Sequence, residues 1–279
     1  MSINKAFLGH SLFTELTVER IVSRYQSYQS PKPHPAPRDA IDRFVFAVQD
    51  MQVANVWIQL FTRPATDAPT DYGECDPGSP TRATLIQRLA EANIGWAGWG
   101  YCAGKYWQKS FTLIQKLHHD LGMTAFMIDA EPGNLVYRDP QNPKKKLPDL
   151  WATADFDTFT NNVMQEFGKD NIALTTWPVL KIQNDVANGV PLIDLMKTAA
   201  SRVGLFVPQA YWMSFPTKVH YSFGLNPQDY PPNDPISFVR LVLKSWNMLG
   251  FTQPLAVAGH GAVPPLAGQP GASLEMIVR

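Results

Sequence analysis

The residues most informative for chemistry are two carboxylates one residue apart, Asp129 and Glu131, which follow the apolar run MTAFMI. Alternation along a strand places residues i and i+2 on one face, so both side chains are expected to point the same way. Like charges this close disfavour simultaneous ionisation, which leaves one carboxyl protonated near neutral pH. A glycosidic oxygen needs such a group as general acid, with Glu131 the better candidate and Asp129 assisting. The alternative is that Glu131 opens a loop and pairs with Arg138 or Lys144.

A second polar pair has the same spacing in a later apolar run. In GLFVPQAYW, Gln209 and Tyr211 are two residues apart and would supply an amide and a phenol to one cavity. Three further polar residues, His10, Gln59 and His260, fall at the ends of predicted strands and are candidate substrate contacts. For either histidine, a buried position in the core, with the ring nitrogens hydrogen-bonded, is an equally good alternative.

Aromatic residues cluster near the ends of the apolar runs: Trp57, Trp96, Trp99, Trp177, Tyr211 and Trp212. Indole faces pack against the C–H faces of sugar rings, so this set favours a glycan-binding cleft. Packing inside the protein is the alternative, and it must hold for some of them.

The sequence predicts no metal and no cofactor, because no set of His, Cys and carboxylates has metal-ligand spacing. His118 and His119 are adjacent on a predicted helix, so we expect their rings to diverge and to lie on the surface. Cys75 and Cys102 are too few for a disulfide scaffold and are expected to be buried free thiols. Lysines 144–146 lie near prolines and are expected to form a solvated loop.

Short apolar runs alternate with helix-periodic stretches along the chain. The predicted strands are 6–8, 53–61, 94–99, 123–131, 172–177, 204–212 and 254–260. The predicted helices are 39–51, 81–93, 106–121, 155–167, 191–202 and 235–249, with Asp155 capping the fourth. Strands buried on both faces, each followed by a helix, indicate a parallel sheet. About seven such units favour an α/β fold of the TIM-type (β/α)8 barrel, whose functional residues lie where the strands end.

An open doubly wound sheet is the alternative fold, but its phosphate-binding fingerprint is missing. Gly98, Gly100 and Gly104 are spaced G-x-G-x-x-x-G, and the bulky Trp99 and Tyr101 lie between them. Such a segment does not form the tight turn that cradles a pyrophosphate.

Charge and hydropathy exclude several other classes of protein. Basic and acidic residues number 24 each among 279 residues, so the net charge of zero argues against a general binder of nucleic acid or anionic membranes. No apolar run approaches the roughly 18 residues of a membrane-spanning helix. The N-terminus lacks the apolar core of a signal peptide, so we expect synthesis in the cytoplasm.

The predicted organisation is a single barrel domain over residues 1–279, one strand short of eight. The final SLEMIVR has the pattern of an opening helix. We therefore expect the native protein to continue beyond Arg279, with a wall-binding or particle-attachment module.

The order MIDAE, IALTTWP and VPQAYW resembles glycosidase-type (β/α) barrels of phage and bacterial genomes. These are distant relatives of lysozyme-like muramidases and chitinase-like barrels that carry Asp-x-Glu on the fourth strand. The resemblance implies that Glu131 is the general acid and that Asp129 and Tyr211 assist it. The sequence departs from the muramidases at His10, where they have an aspartate, and from the chitinases at Thr124 and Met127, where their longer motif has aspartates.

The resemblance implies hydrolysis of a β-linked, N-acetylated glycan such as peptidoglycan, with the substrate's acetamide as nucleophile. Direct displacement by Asp71, Glu74 or Asp234 is the other enzymatic route. Action at the cell wall after lysis, or within a virion or injection particle, would follow. The alternative function is a non-catalytic glycan-binding barrel of a phage tail or secretion-system particle.

Overall fold

The structure is a computed structural model that describes residues 3–9, 11–13, 18–61, 80–131, 136–139, 141–148, 150–178, 192–210 and 234–259. The strands are β1 (Ser11–Phe13), β2 (Asn55–Phe61), β3 (Gly95–Tyr101), β4 (Phe126–Asp129), β5 (Val136–Asp139), β6 (Asn142–Pro148), β7 (Ile172–Thr176), β8 (Leu205–Ala210) and β9 (Ala258–Gly259). The α-helices are α1 (Val18–Tyr25), α2 (Ala40–Asp50), α3 (Pro80–Glu91), α4 (Trp107–Leu121), α5 (Thr153–Phe167), α6 (Leu192–Ala200) and α7 (Pro235–Asn247). None of the helices in these ranges has the length and apolar character needed to cross a membrane.

One parallel sheet organises the chain, with strand order β1-β2-β3-β4-β7-β8-β9. It curls with the helices around it, which confirms an α/β fold of the TIM-barrel type. The strands β5 and β6 form a separate antiparallel hairpin between β4 and α5. Within the described ranges no pairing joins β1 to β9, so the barrel is incomplete there.

Alternation along the strands divides the apolar side chains into two cores. The outer core lies between sheet and helices and contains alternate strand residues such as Ile58, Phe126 and Ile128 together with the helix faces. The inner core fills the curl of the sheet and contains the intervening residues: Trp57, Ala97, Trp99, Ala125, Met127, Ala173, Leu205, Val207 and Ala258. The interior is therefore a packed core, as expected for a barrel of this size.

The first predicted strand, 6–8, is wrong. Residues Lys5–Phe7 form a 3₁₀ helix capped by Asn4, whose side-chain oxygen accepts a hydrogen bond from the Ala6 amide at 2.8 Å. Asn4 also bonds Asn171 and the Thr124 carbonyl, which lie just before β7 and β4. The Phe7 ring packs edge-on against Trp57 of the inner core. Residues 4–7 therefore close the barrel at the amino ends of the strands, and β1 begins only at Ser11.

The structure adds one helix and corrects two other expectations. The added helix is α1, which was not predicted although its buried Val18 and Ile21 have helical spacing. Lysines 144–146 lie on β6 of the hairpin and not in a loop. Helix α5 begins two residues earlier than predicted, with Ala152 at the N-cap and Asp155 in the first turn.

The glycines of β3 allow its neighbours to pack closely. A Cβ atom at Gly100 would overlap the ring of Phe61 on β2, and one at Gly98 would overlap Leu60 and Met123. Both glycines lie within a regular strand, which confirms that they do not form a phosphate-binding turn. They leave room in the outer core for the side chains of Leu60, Phe61 and Met123.

We expect Gly100→Ala to lower the free energy of unfolding by about 1–3 kcal/mol, because the added methyl overpacks the Phe61 ring. Urea denaturation measures the difference. Gly100→Ala should cost less stability in a Phe61→Leu background than in the wild type, because the smaller leucine leaves room for the added methyl. Equal stability of Gly100→Ala and wild type would contradict the close packing.

An ion-pair network joins α2 to α3. Asp42 accepts hydrogen bonds from Arg38 Nε and Nη2, both at 2.8 Å, and from Arg88 Nη1 at 2.9 Å. Asp39 caps α2 through the amides of Ile41 and Asp42 and also pairs with Arg88. The hydrogen bonds from Arg38 and the nearby charges outweigh the opposing effect of burial and lower the pKa of Asp42 to about 2.

Asp42→Asn should lower the free energy of unfolding by about 1–2 kcal/mol near neutral pH, because it removes a paired, buried carboxylate. Since the pKa of Asp42 is lowered from 3.8 to about 2 on folding, its stabilisation is lost as pH falls across that interval. Urea denaturation at a series of pH values should therefore show the two proteins converging below pH 4. Asp120→Asn, which removes an exposed pair with Lys116, is the control and should cost less than about 0.5 kcal/mol. A difference that is absent at neutral pH, or independent of pH, would contradict this account.

Candidate functional site at the carboxyl ends of the strands

Above the inner core, polar side chains replace apolar ones at the carboxyl ends of β3, β4, β7 and β8. We call this set the polar mouth: Tyr101, Asp129, Glu131, Thr175 and Gln209. All five are buried, and Asp129 and Glu131 are each only 6% exposed. The strand register aligns Tyr101 with Asp129, and Asp129 with Thr175. The carboxyl end of β4 therefore lies between two other polar residues at one level of the barrel.

Asp129 is held by a direct hydrogen bond across the barrel. The Gln209 amide Nε2 donates to Asp129 Oδ1 at 3.2 Å, and both residues are buried. A buried carboxylate requires such donors, because burial without them costs several kcal/mol. Gln209 therefore lies beside Asp129 at the carboxyl end of the sheet.

The backbone that carries the two carboxylates is fixed from both sides. On the β3 side, the Cys102 amide donates to the Asp129 carbonyl at 2.8 Å, and the Tyr101 hydroxyl donates to the Glu131 carbonyl at 3.2 Å. On the β7 side, the Ala130 amide donates to the Thr175 carbonyl and Thr176 Oγ1 donates to the Ala130 carbonyl at 2.6 Å. Asp129 and Glu131 are therefore presented by a rigid strand end, as preorganised chemistry requires.

Sequence reasoning missed two members of the polar mouth. Tyr101 was passed over as the end of an aromatic strand, and Thr175 as part of a β-rich run. The buried Thr175 hydroxyl has no hydrogen-bond partner among the described residues. Parity could have found both, since Thr175 is two residues beyond the inward Ala173, and Tyr101 two beyond the inward Trp99.

The structure separates the predicted stacking aromatics. Trp57 and Trp99 lie buried in the inner core, and the Trp57 indole N–H donates to the Ala6 carbonyl at 2.9 Å. Trp96 lies near the start of β3, at the opposite end from Asp129, and packs against the outer core. Trp177 follows β7 and is half-buried against the same core. Gln59 shares the inward face of Trp57 and is half-buried.

The remaining predicted site residues lie outside the described residues: His10, Tyr211, Trp212, His260, Asp71, Glu74 and also Cys75. Cys102 is described and is a buried free thiol, as predicted. Burial and the nearby charge of Asp129 raise the pKa of the Cys102 thiol.

The expectation that His118 and His119 diverge is wrong. Their rings are nearly parallel, with centroids 5.1 Å apart, and both approach the carboxylate of Glu166 on α5. The donor atoms of these three residues lie within 4.8 Å of one another, so they could hold a metal ion. This cluster is built on helix ends remote from the polar mouth.

Comparisons with known proteins bear on the fold. No protein-family model matches the sequence, and no curated protein matches it. A solved structure, the C-terminal domain of a "putative chitinase" from Desulfitobacterium hafniense, is similar with a TM-score of 0.50 at 13% identity over 89% of this chain and 65% of that one. The chain thus spans less than two thirds of that neighbour. At this identity the likeness establishes the fold alone, a (β/α) barrel.

Two further solved structures are similar at lower scores. A chitinase from Chromobacterium violaceum has a TM-score of 0.42 at 9% identity, over 75% of this chain and 58% of that one. An Anoxybacillus alpha-amylase has a TM-score of 0.39 at 8% identity, over 91% of this chain and 70% of that one.

The environment of Cys102 predicts a thiol that does not react in the folded protein. In a Cys75→Ser background, iodoacetamide at neutral pH should leave Cys102 unlabelled, because the group is buried and its thiolate is disfavoured. Adding denaturant should restore labelling at the rate of a free cysteine, as followed by mass spectrometry. Rapid labelling under native conditions would show that the carboxyl end of β3 is open to solvent.

Proposed function

We propose that this protein is a glycoside hydrolase in which Glu131 is the general acid and Asp129 assists it. The observation that carries the proposal is the Asp129–Ala130–Glu131 strand end. Two buried carboxylates are fixed at the carboxyl end of β4, with Gln209 donating to Asp129 at 3.2 Å. In (β/α) barrels the catalytic residues occupy this end of the strands.

The substrate we propose is a β-linked glycan with N-acetylated sugars, such as chitin or peptidoglycan. The name of the Desulfitobacterium neighbour supports this class, and the fold likeness makes the comparison relevant. A substrate-assisted reaction also explains why the general acid, Glu131, lies beside a second carboxylate, Asp129, that is hydrogen-bonded to the Gln209 amide. In such a reaction the acetamide of the substrate replaces an enzyme nucleophile.

The first step breaks the bond between the anomeric carbon and the glycosidic oxygen. Glu131 gives its proton to that oxygen, and the acetamide carbonyl oxygen of the same sugar forms a bond to the anomeric carbon. Asp129 accepts a hydrogen bond from the acetamide N–H and stabilises the positive charge that develops on the cyclic intermediate. Gln209 holds Asp129 in the required orientation.

The second step restores the acetamide. Glu131, now ionised, takes a proton from a water molecule, and the resulting hydroxyl oxygen bonds to the anomeric carbon as the bond to the acetamide oxygen breaks. Tyr211 is proposed to hold the acetamide. Glu131, the water and the acetamide of the substrate supply every proton and electron pair in the cycle.

The test is hydrolysis of N-acetylglucosamine oligomers and purified peptidoglycan by wild type and Glu131→Gln. The variant should lose about 10²–10⁴-fold in kcat while retaining substrate binding, because it keeps the shape of Glu131 without its proton. Glu91→Gln, on the exposed face of α3, is the matched control and should keep full activity.

Equal turnover by wild type and Glu131→Gln would contradict the general-acid role. Binding of oligomers by the wild type without turnover would favour the non-catalytic glycan-binding barrel. Absence of both binding and turnover on these substrates would contradict the proposed substrate class.

A further inference from the structure

A cluster of two histidines and one glutamate joins the ends of α4 and α5. His118 Nδ1 lies 2.6 Å from Glu166 Oε1, and His119 Nε2 lies 3.4 Å from the same oxygen. The side chain of Glu166 is 14% exposed, that of His118 27% and that of His119 71%. The cluster therefore has a half-buried carboxylate and an edge, at His119, that is open to solvent.

The spacing of the donor atoms suits a single small ion. A tetrahedral zinc ion binds imidazole nitrogens and carboxylate oxygens at about 2.0–2.2 Å, which separates its ligand atoms by about 3.3 Å. The two histidine–glutamate distances, 2.6 and 3.4 Å, bracket this value, and all three atoms lie within 4.8 Å of one another. Small side-chain rotations would admit the ion, and water would complete the coordination from the exposed edge.

Two features outside the three donors prepare this position for a cation. Gln115 Nε2 donates to Glu166 Oε2 at 3.1 Å, which turns Oε1 towards the histidines. The cluster also lies at the carboxyl ends of α4 and α5, where the helix dipoles favour positive charge.

We propose that His118, His119 and Glu166 form a binding site for a divalent transition metal, zinc in the first place. Two imidazoles and a carboxylate are a ligand set that zinc prefers, and hard cations such as magnesium prefer all-oxygen sets.

The position in the fold indicates a structural role for the ion. The His118 ring packs against Phe167 with centroids 4.4 Å apart, and Phe167 stacks on Phe126 at the start of β4. The cluster therefore lies at the amino end of β4, opposite Asp129, and this end of a barrel serves stability. A bound ion would fasten α4 to α5 without touching the polar mouth.

Titration of the full chain, freed of metal by a chelator, with zinc chloride tests the proposal by calorimetry and thermal denaturation. Wild type should bind one equivalent, and its Tm should rise with zinc concentration. His119→Ala, at an exposed position that tolerates substitution, and Glu166→Gln should each weaken binding at least tenfold and abolish the shift in Tm. Cobalt, bound at the same stoichiometry, should show the intense visible absorption of tetrahedral coordination.

The matched control is His34→Ala, which removes a histidine whose Nε2 lies 3.0 Å from Asp50 Oδ1. Among the described residues, this pair belongs to no group of three metal-ligating side chains. It should leave zinc binding unchanged. The proposal is overturned if wild type binds no zinc above the level of His119→Ala, or if His34→Ala reduces binding as strongly. Because the glycan assays do not involve this cluster, the result is independent of the proposed function.

Discussion

The alternation of side chains along buried parallel strands is the constraint on which the structure depends. In β4, Phe126 and Ile128 must face the helices, so Met127 and Asp129 must face the interior. The strands β3, β4, β7 and β8 keep the same alternation, and β2 keeps it up to the irregularity between Gln59 and Phe61. This fills the curl of the sheet with side chains and places the polar mouth at its carboxyl end. A shift of one residue in register would bury Asp129 against the helices and is therefore excluded.

The polar mouth follows from this packing. The packed inner core leaves no space for the Asp129 side chain below the polar mouth. A buried carboxylate also needs a hydrogen-bond donor, which Gln209 provides at 3.2 Å. Hydrogen bonds from β3 and β7 fix the backbone of residues 129–131 on either side. The register of β3 with β4 brings Tyr101 to the level of Asp129.

Periodicity sufficed to predict β2, β3, β4, β7 and β8, the helices α2 to α7, and the inward orientation of Asp129 and Gln209, because each depends on local pattern and burial. The exceptions depend on contacts between distant residues. Asn4 and Phe7 close the amino end of the barrel through contacts with Asn171 and Trp57. His118 contacts Glu166, which lies 48 residues further along the chain. The hairpin of β5 and β6 carries consecutive lysines without alternation, so no pattern predicted it.

The most direct test of the account is a crystal structure of the Glu131→Gln variant with an N-acetylglucosamine tetramer. The account predicts a sugar chain across the polar mouth, with a glycosidic oxygen within hydrogen-bond distance of the side chain at position 131. It also predicts the acetamide of the adjacent sugar against Asp129. A tetramer bound elsewhere on the protein, with the ends of β4 and β8 untouched, would contradict it.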